Sequence, residues 1–252
     1  MSGVELVVED LVVGYGSSPI VRGVSIIARP GEFIVIVGPN GSGKSTLMKG
    51  ISGVQPASSG RVILRGDSEV DVTSLPPERA IRAGIGYVPQ HSNVFPSLSV
   101  EENLEMGAYV ARKRTRERIK VVFELFPDLA DARRRAARTL SGGQRGMLAL
   151  GRALMVSPDV ILVDEPTAGL SPRYRDVVWE QLVQLRHAGV SLIVVEQNTR
   201  AALEIGDRGY VLVNGQVSRE DNCKNLLADE ELIKLYIGAE GGGGPLLKRA
   251  TQ

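Results

Sequence analysis

Phe33-Ile34-Val35-Ile36-Val37-Gly38-Pro39-Asn40-Gly41-Ser42-Gly43-Lys44-Ser45-Thr46 is the stretch on which the fold turns. Its first five residues are apolar without alternation, the pattern of a strand whose sheet is covered on both faces. Gly38 to Ser45 then fits G-x-x-x-x-G-K-[ST], and Thr46-Leu47-Met48-Lys49 opens a helical run. Glycines at these spacings let the backbone wrap until several amides converge on phosphate oxygens, while the helix N-terminus adds partial positive charge. The Lys44 side chain can reach β and γ phosphates, and the Ser45 hydroxyl can ligate Mg²⁺. Gly38, Pro39, Asn40, Gly41, Ser42, Gly43, Lys44, Ser45 and Thr46 are therefore the first candidate binding residues.

Working outward, short apolar runs recur at Val4–Val8, Val24–Ile27, Val62–Leu64, Val160–Val163, Ser191–Val195 and Tyr210–Val213. Two of them, Val160–Val163 and Leu192–Val195, are as continuously hydrophobic as Phe33–Val37, so the reading is α/β with a parallel sheet. The early runs lie close together with turns such as Arg65-Gly66-Asp67, which predicts an antiparallel β layer in the N-terminal third. Ser99-Val100-Glu101-Glu102 has the capping-box spacing and opens a helix toward Tyr109. Ile119, Val122, Phe123 and Phe126 mark one buried face of a second helix. A third begins near Ser141, with Met147, Leu150, Gly151 and Leu154 on one side, so residues of about 92–155 read as a helical insertion. Ser171 and Pro172 supply a cap and a pre-set first turn for a helix ending near Gly189. The tail Gly241-Gly242-Gly243-Gly244-Pro245 reads as a flexible breaker over 241–252, leaving 1–240 as one domain.

A bound triphosphate needs carboxylates for its metal and for an attacking water. Val160-Ile161-Leu162-Val163-Asp164-Glu165 supplies two at the end of a buried strand. Asp164 is read as a metal ligand and Glu165 as the base that polarises water, with strand alternation sending the two side chains opposite ways. Composition narrows the classes further. Among 252 residues, 30 Lys and Arg balance 29 Asp and Glu, which excludes attachment to nucleic acid through bulk positive charge. The single cysteine, Cys223, excludes an internal disulfide framework and a Cys-rich zinc site. No apolar run approaches the roughly 18 residues of a membrane span. The first ten residues lack a basic end followed by an apolar stretch, so the expected address is cytoplasmic.

Leu140-Ser141-Gly142-Gly143-Gln144 resembles the signature sequence of ABC-type ATPases. The resemblance, which covers residues of about 4–238, implies a P-loop NTPase core with an antiparallel β subdomain and a helical subdomain insertion. It implies that Ser141, Gly142, Gly143 and Gln144 form a second anion cradle, closing on the γ-phosphate held by another chain, so that catalysis belongs to a head-to-tail dimer. It also implies that Tyr15, between Gly14 and Gly16, stacks on adenine, an interaction worth roughly 1–3 kcal/mol. Gln90, in Tyr87-Val88-Pro89-Gln90, takes the position that in the family contacts Mg²⁺ and water and links to the helical insertion.

Two positions depart from the family pattern. Gln197, in Val195-Glu196-Gln197-Asn198, stands where a switch histidine is usual; its amide can donate a hydrogen bond but carries no charge. Ala168-Gly169-Leu170-Ser171 lacks the usual acidic last residue. Together with Ile51-Ser52-Gly53, Leu75-Pro76-Pro77-Glu78-Arg79 and Phe95 to Leu104, these stretches make the chain similar to ATP-binding subunits of branched-chain amino acid importers. The implied function is ATP hydrolysis with Mg²⁺ by a homodimer, or a heterodimer with a related cassette, using Glu165, Lys44 and Gln197. The implied partners are transmembrane permeases and, through them, a substrate-binding protein, with the chain peripheral on the inner face of the membrane and no nucleic acid expected. A cassette acting on DNA or ribosomes and a nucleotide sensor with little hydrolysis remain as alternative readings.

The basic runs Arg112–Lys120 and Arg133–Arg138 contain no interleaved aromatic residues and read as solvated helix faces. His91 and His187 fit no triad, His187 reads as a helix end, and Cys223 as a plain thiol.

Overall fold

A computed structural model describes residues 3–91 and 93–230. The glycine-rich tail read over 241–252 lies outside the described residues. In chain order the elements are β1 (Glu5–Tyr15), β2 (Ser18–Ala28), β3 (Phe33–Val37), α1 (Lys44–Ile51), β4 (Ala57–Arg65), β5 (Glu69–Asp71), α2 (Pro77–Ala83) and β6 (Ile85–Val88). Then come α3 (Val100–Gly107), α4 (Thr115–Leu125), α5 (Pro127–Asp131), α6 (Gly142–Leu154), β7 (Val160–Asp164) and α7 (Pro172–His187). The described chain finishes with β8 (Ser191–Val195), α8 (Thr199–Ile205), β9 (Arg208–Val213), β10 (Gln216–Asn222) and α9 (Cys223–Ala228).

The strands form two sheets. One is antiparallel, in the order β2-β1-β4-β5, and is the N-terminal β layer expected from the close spacing of the early runs. The other runs β10-β9-β3-β8-β7-β6, parallel from β9 to β6, with β10 antiparallel at one edge. In β3 every side chain is fully buried, yet successive residues belong to different cores. Ile34 and Ile36 pack with Leu47 and Met48 of α1 and with the antiparallel sheet. Phe33, Val35 and Val37 pack with Leu104, Val122, Leu148 and Leu182 on the helical side. That split is what the unbroken apolar run meant: one strand serves two hydrophobic layers. Burying a Val, Leu, Ile or Phe side chain stabilises by about 1.5–3 kcal/mol, so β3 is held from both faces.

Four helices follow one another between Val100 and Leu154 without an intervening strand. The Ser99 hydroxyl accepts from the Glu102 amide at 3.2 Å and the Glu102 carboxylate accepts from the Ser99 amide at 2.7 Å, a reciprocal cap for α3. Ile119, Val122 and Phe126 are buried, and Phe123 packs against the same core.

Two local expectations are corrected. Ser171 makes no side-chain cap for α7; its carbonyl instead accepts from the Tyr174 and Arg175 amides, while Pro172 fills a position where no amide is needed. Strand alternation does not separate Asp164 from Glu165. β7 ends at Asp164, and Glu165 turns the chain through a left-handed conformation, φ 48°.

Candidate active site

The C-terminal end of β3 delivers the glycine-rich loop to the edge of the parallel sheet, where ligands collect in open α/β folds. Gly38, φ 149°, lies so close to the Leu212 carbonyl of β9 that a methyl group would overlap it. The loop then turns over the Lys44 ammonium, which donates to the carbonyls of Gly38 at 2.8 Å and Pro39 at 3.0 Å. Lys44 is only 6% exposed. Burial lowers its pKa from the usual lysine value, and the charges of Glu165 and Asp164 oppose that shift. Ser42 Oγ is buried in the loop with no hydrogen-bond partner among the described residues, a donor left for an acceptor oxygen. The amides at the start of α1, which opens at Lys44, have no partner inside the helix, so this end carries partial positive charge.

The acidic half faces this loop. Ser45 Oγ donates to Asp164 Oδ1 at 3.0 Å, joining the start of α1 to the end of β7. Asp164 is buried, which raises its pKa, while the Ser45 hydrogen bond and the charges of Lys49 and Lys44 lower it. The Glu165 amide donates to the Val195 carbonyl at 2.9 Å, and its carboxylate accepts from Gln90 Nε2. Burial, then the charges of Asp164 and Glu196, raise the Glu165 pKa; Lys44 and His91 act against them. A non-glycine residue held in the left-handed region is uncommon, and Glu165 is one of four among the described residues. Gln197 Nε2 donates to Asn40 Oδ1 at 3.1 Å, so the loop after β8 reaches the phosphate loop.

Lys44, Ser45, Gln90, Asp164 and Glu165 are thus linked by direct hydrogen bonds or close charge contacts, and Asn40 and Gln197 form a separate pair at the phosphate loop. The oxygen donors of Ser45 and Asp164, with the Gln90 amide beside them, suit a hard divalent cation. Buried donors with a lysine suit phosphate oxygens, and a carboxylate of raised pKa suits a general base.

Tyr15 ends β1 at the tip of the β1–β2 hairpin and is 47% exposed. Its hairpin lies beside the phosphate loop, since a side chain on Gly43 would meet Ile20 and Val21 of β2. Ser141 caps α6: its hydroxyl accepts from the Gln144 amide at 3.2 Å, and the Gln144 carboxamide accepts from the Ser141 amide at 3.1 Å. Gly143 is buried under the Tyr174 ring of α7, where a methyl would overlap the ring, and Gly142 lies against Leu170. Gly142 also lines a cavity of about 250 Å³ with Gln90, Asp164, Glu165 and Gly169.

Sequence reasoning missed two residues that hold this site together. Gly215, φ 81°, donates to the Ser42 carbonyl at 3.0 Å and accepts from the Arg22 amide at 2.8 Å, tying the phosphate loop to β2. Asn214-Gly215 between two strands was the available signal, because that pair favours a tight hairpin turn. Glu196, 2% exposed, accepts hydrogen bonds from the loops after β7 and β8. Its signal was weaker: an acidic residue directly after a buried strand.

Comparison with known proteins meets the same architecture. The family described as "ABC transporter" matches residues 21–168. The chain is 41% identical over 227 residues to "Probable branched-chain amino acid transport ATP-binding protein LivF" of Archaeoglobus fulgidus, covering 89% of this chain and 95% of that one. It is 39% identical over 225 residues to "High-affinity branched-chain amino acid transport ATP-binding protein BraG" of Pseudomonas aeruginosa, covering 89% and 95%. Among solved structures, a nucleotide-free ATP-binding cassette from an ABC transporter superposes with TM-score 0.80 at 29% identity, covering 92% of this chain and 98% of that one. A dimeric cassette in a post-hydrolysis state bound to ADP and Pi gives 0.74 at 26%, covering 86% and 98%. A P-loop α/β core, an antiparallel sheet beside it and a run of helices carrying Leu140–Gln144 meet in one chain, which belongs to the ABC transporter family as one of its nucleotide-binding ATPase cassettes.

Proposed function

We propose that this cassette hydrolyses ATP to energise an importer of branched-chain amino acids, acting through separate membrane permeases by closure of a cassette dimer. The observation that carries the ATPase mechanism is the hydrogen bond of Gln90 to Glu165, beside a Lys44 and a Ser45 that face the same acidic pair. Support for the cargo is the pair of relatives named for branched-chain amino acid transport, matched over 89% of the chain.

In this reading the amides of Gly38–Thr46 and the Lys44 ammonium hold the triphosphate, and Tyr15 stacks on adenine. Ser45, Asp164 and Gln90 would hold Mg²⁺. That ion would offset the negative charge of the phosphate oxygens. Glu165 takes a proton from water, and Gln90 fixes the orientation of its carboxylate. Gln197, held at Asn40, donates its amide hydrogen on the γ-phosphate side. Ser141, Gly142, Gly143 and Gln144 cover the pocket of a second cassette, either another copy of this chain or a related one. The helices between 92 and 155 then belong to the domain of residues 1–240 as the part that meets the permeases, and the cassette works at the inner face of the membrane.

The test is reconstitution of the cassette with its permease pair and a binding protein in liposomes. ATP-dependent uptake of leucine, isoleucine and valine, lost in the Glu165→Gln variant, is the expected result. Uptake of another solute class would overturn the cargo. ATP binding without turnover in the complete system would overturn the enzyme in favour of a nucleotide sensor.

A further inference from the structure

Glu196 is an acidic side chain placed almost entirely out of water, 2% exposed, and its hydrogen-bond partners among the described residues are all neutral. Its Oε1 accepts from the Thr167 amide at 2.9 Å and the Thr167 hydroxyl at 2.6 Å. Its Oε2 accepts from the Gln197 amide at 2.9 Å and the Asn198 amide at 3.2 Å. Those donors come from two separate loops. Thr167 follows Glu165 by two residues after β7, and Gln197 and Asn198 follow β8. Burying a carboxylate is costly unless each oxygen is well satisfied, and a neutral side chain could join two loops at lower cost. What the carboxylate adds is four acceptor directions from one rigid plane, enough to fix both loops at once.

We propose that Glu196 is a positioning residue for ATP hydrolysis, holding the loop that begins with Glu165 in register with the loop that carries Gln197. The proposal rests on the reading of Glu165 as base and Gln197 as the phosphate-side amide. The path is continuous: Asn40 accepts from the Gln197 side chain at 3.1 Å, the Gln197 amide donates to Glu196, and Glu196 holds Thr167. Thr167 leads straight into Ala168-Gly169-Leu170-Ser171, which lines the same cavity as Glu165 through its first three residues. A displacement of Gln197 at the phosphate loop is therefore passed to the segment of the base through one side chain.

Glu196→Gln leaves one carboxamide oxygen for two sets of donors, so one loop is released. Steady-state ATPase kinetics, nucleotide binding and thermal melting are measured on the complete cassette for Glu196→Gln, Gln197→Ala, the double variant and Glu165→Gln. The expected result is a kcat about tenfold lower in Glu196→Gln with nucleotide affinity within about twofold, and a double variant that loses less than the product of the single losses. Thr167→Val tests the bond from its other end and covers the case in which Glu196→Gln does not fold. It lowers kcat in the same way, and Thr167→Ser, which keeps the hydroxyl, recovers most of the loss. A kcat within twofold of the parent, full multiplication of the losses, or a loss matched by weaker nucleotide binding would each overturn the proposal. Turnover retained by Glu165→Gln would instead remove the base assignment on which it stands.

Discussion

At Lys44 an ammonium is buried between loop carbonyls and an acidic pair, and burial lowers its pKa. A compact charge in such a place matters most to a ligand with several anionic oxygens. Lys44→Ala is expected to weaken ATP binding by about tenfold or more and to abolish turnover, as read by nucleotide titration and phosphate release. Glu165 has the opposite electrostatics. Burial and the charges of Asp164 and Glu196 hold its pKa above the ordinary 4.5, and only the ionised form is a base. Turnover is therefore expected to fall as pH drops through this raised value, giving kcat/KM an acidic limb that starts above the ordinary glutamate range. The sign for stability is the reverse. A carboxyl whose folded pKa exceeds its unfolded one contributes stability that is fully present below the unfolded value and lost as pH rises through the folded one. Glu165→Gln should then melt higher, relative to the parent, at neutral pH than under acidic conditions.

At the scale of elements, α6 and α7 meet where Gly143 lies under Tyr174. Gly143→Ala is expected to cost about 1–3 kcal/mol in denaturant unfolding, because the added methyl must displace the ring. Combining it with Tyr174→Ala should recover part of that loss, since the two substitutions act on one contact. The same scale explains what could be read in advance. β3, β7 and β8 were legible because both their faces are dry, which leaves an unbroken apolar run. β10, Gln216–Asn222, was not: its side chains are exposed or half-buried throughout, and only its pairing with β9 makes it a strand. β5 has three exposed residues and owes its place to β4, and in β6 Gly86 interrupts the apolar pattern. The capping box at Ser99 was legible because its hydrogen bonds are local in sequence; the box at Ser141 is equally local, but only a helix start was read there. Glu196 and Gly215 act between segments far apart in the chain; Asn214-Gly215 signals a local turn, but not the distant segments that either residue joins.

For the whole molecule, the two sheets place every linked site residue along one edge, where the loops after β3, β6, β7 and β8 converge. Ser141 belongs to the same chain but reaches this network through no hydrogen bond among the described residues; its hydroxyl caps its own helix. Under the dimer reading, Glu165→Gln with ATP is expected to accumulate a particle of twice the mass in solution scattering, and the parent with ADP a single one. Equal masses in both states would count against reciprocal closure. The lodging of Gly38 against the Leu212 carbonyl reaches further than nucleotide binding. Position 38 is constrained by a neighbouring strand, so a library randomised there and sorted only for soluble expression, with no demand for catalysis, should still return glycine.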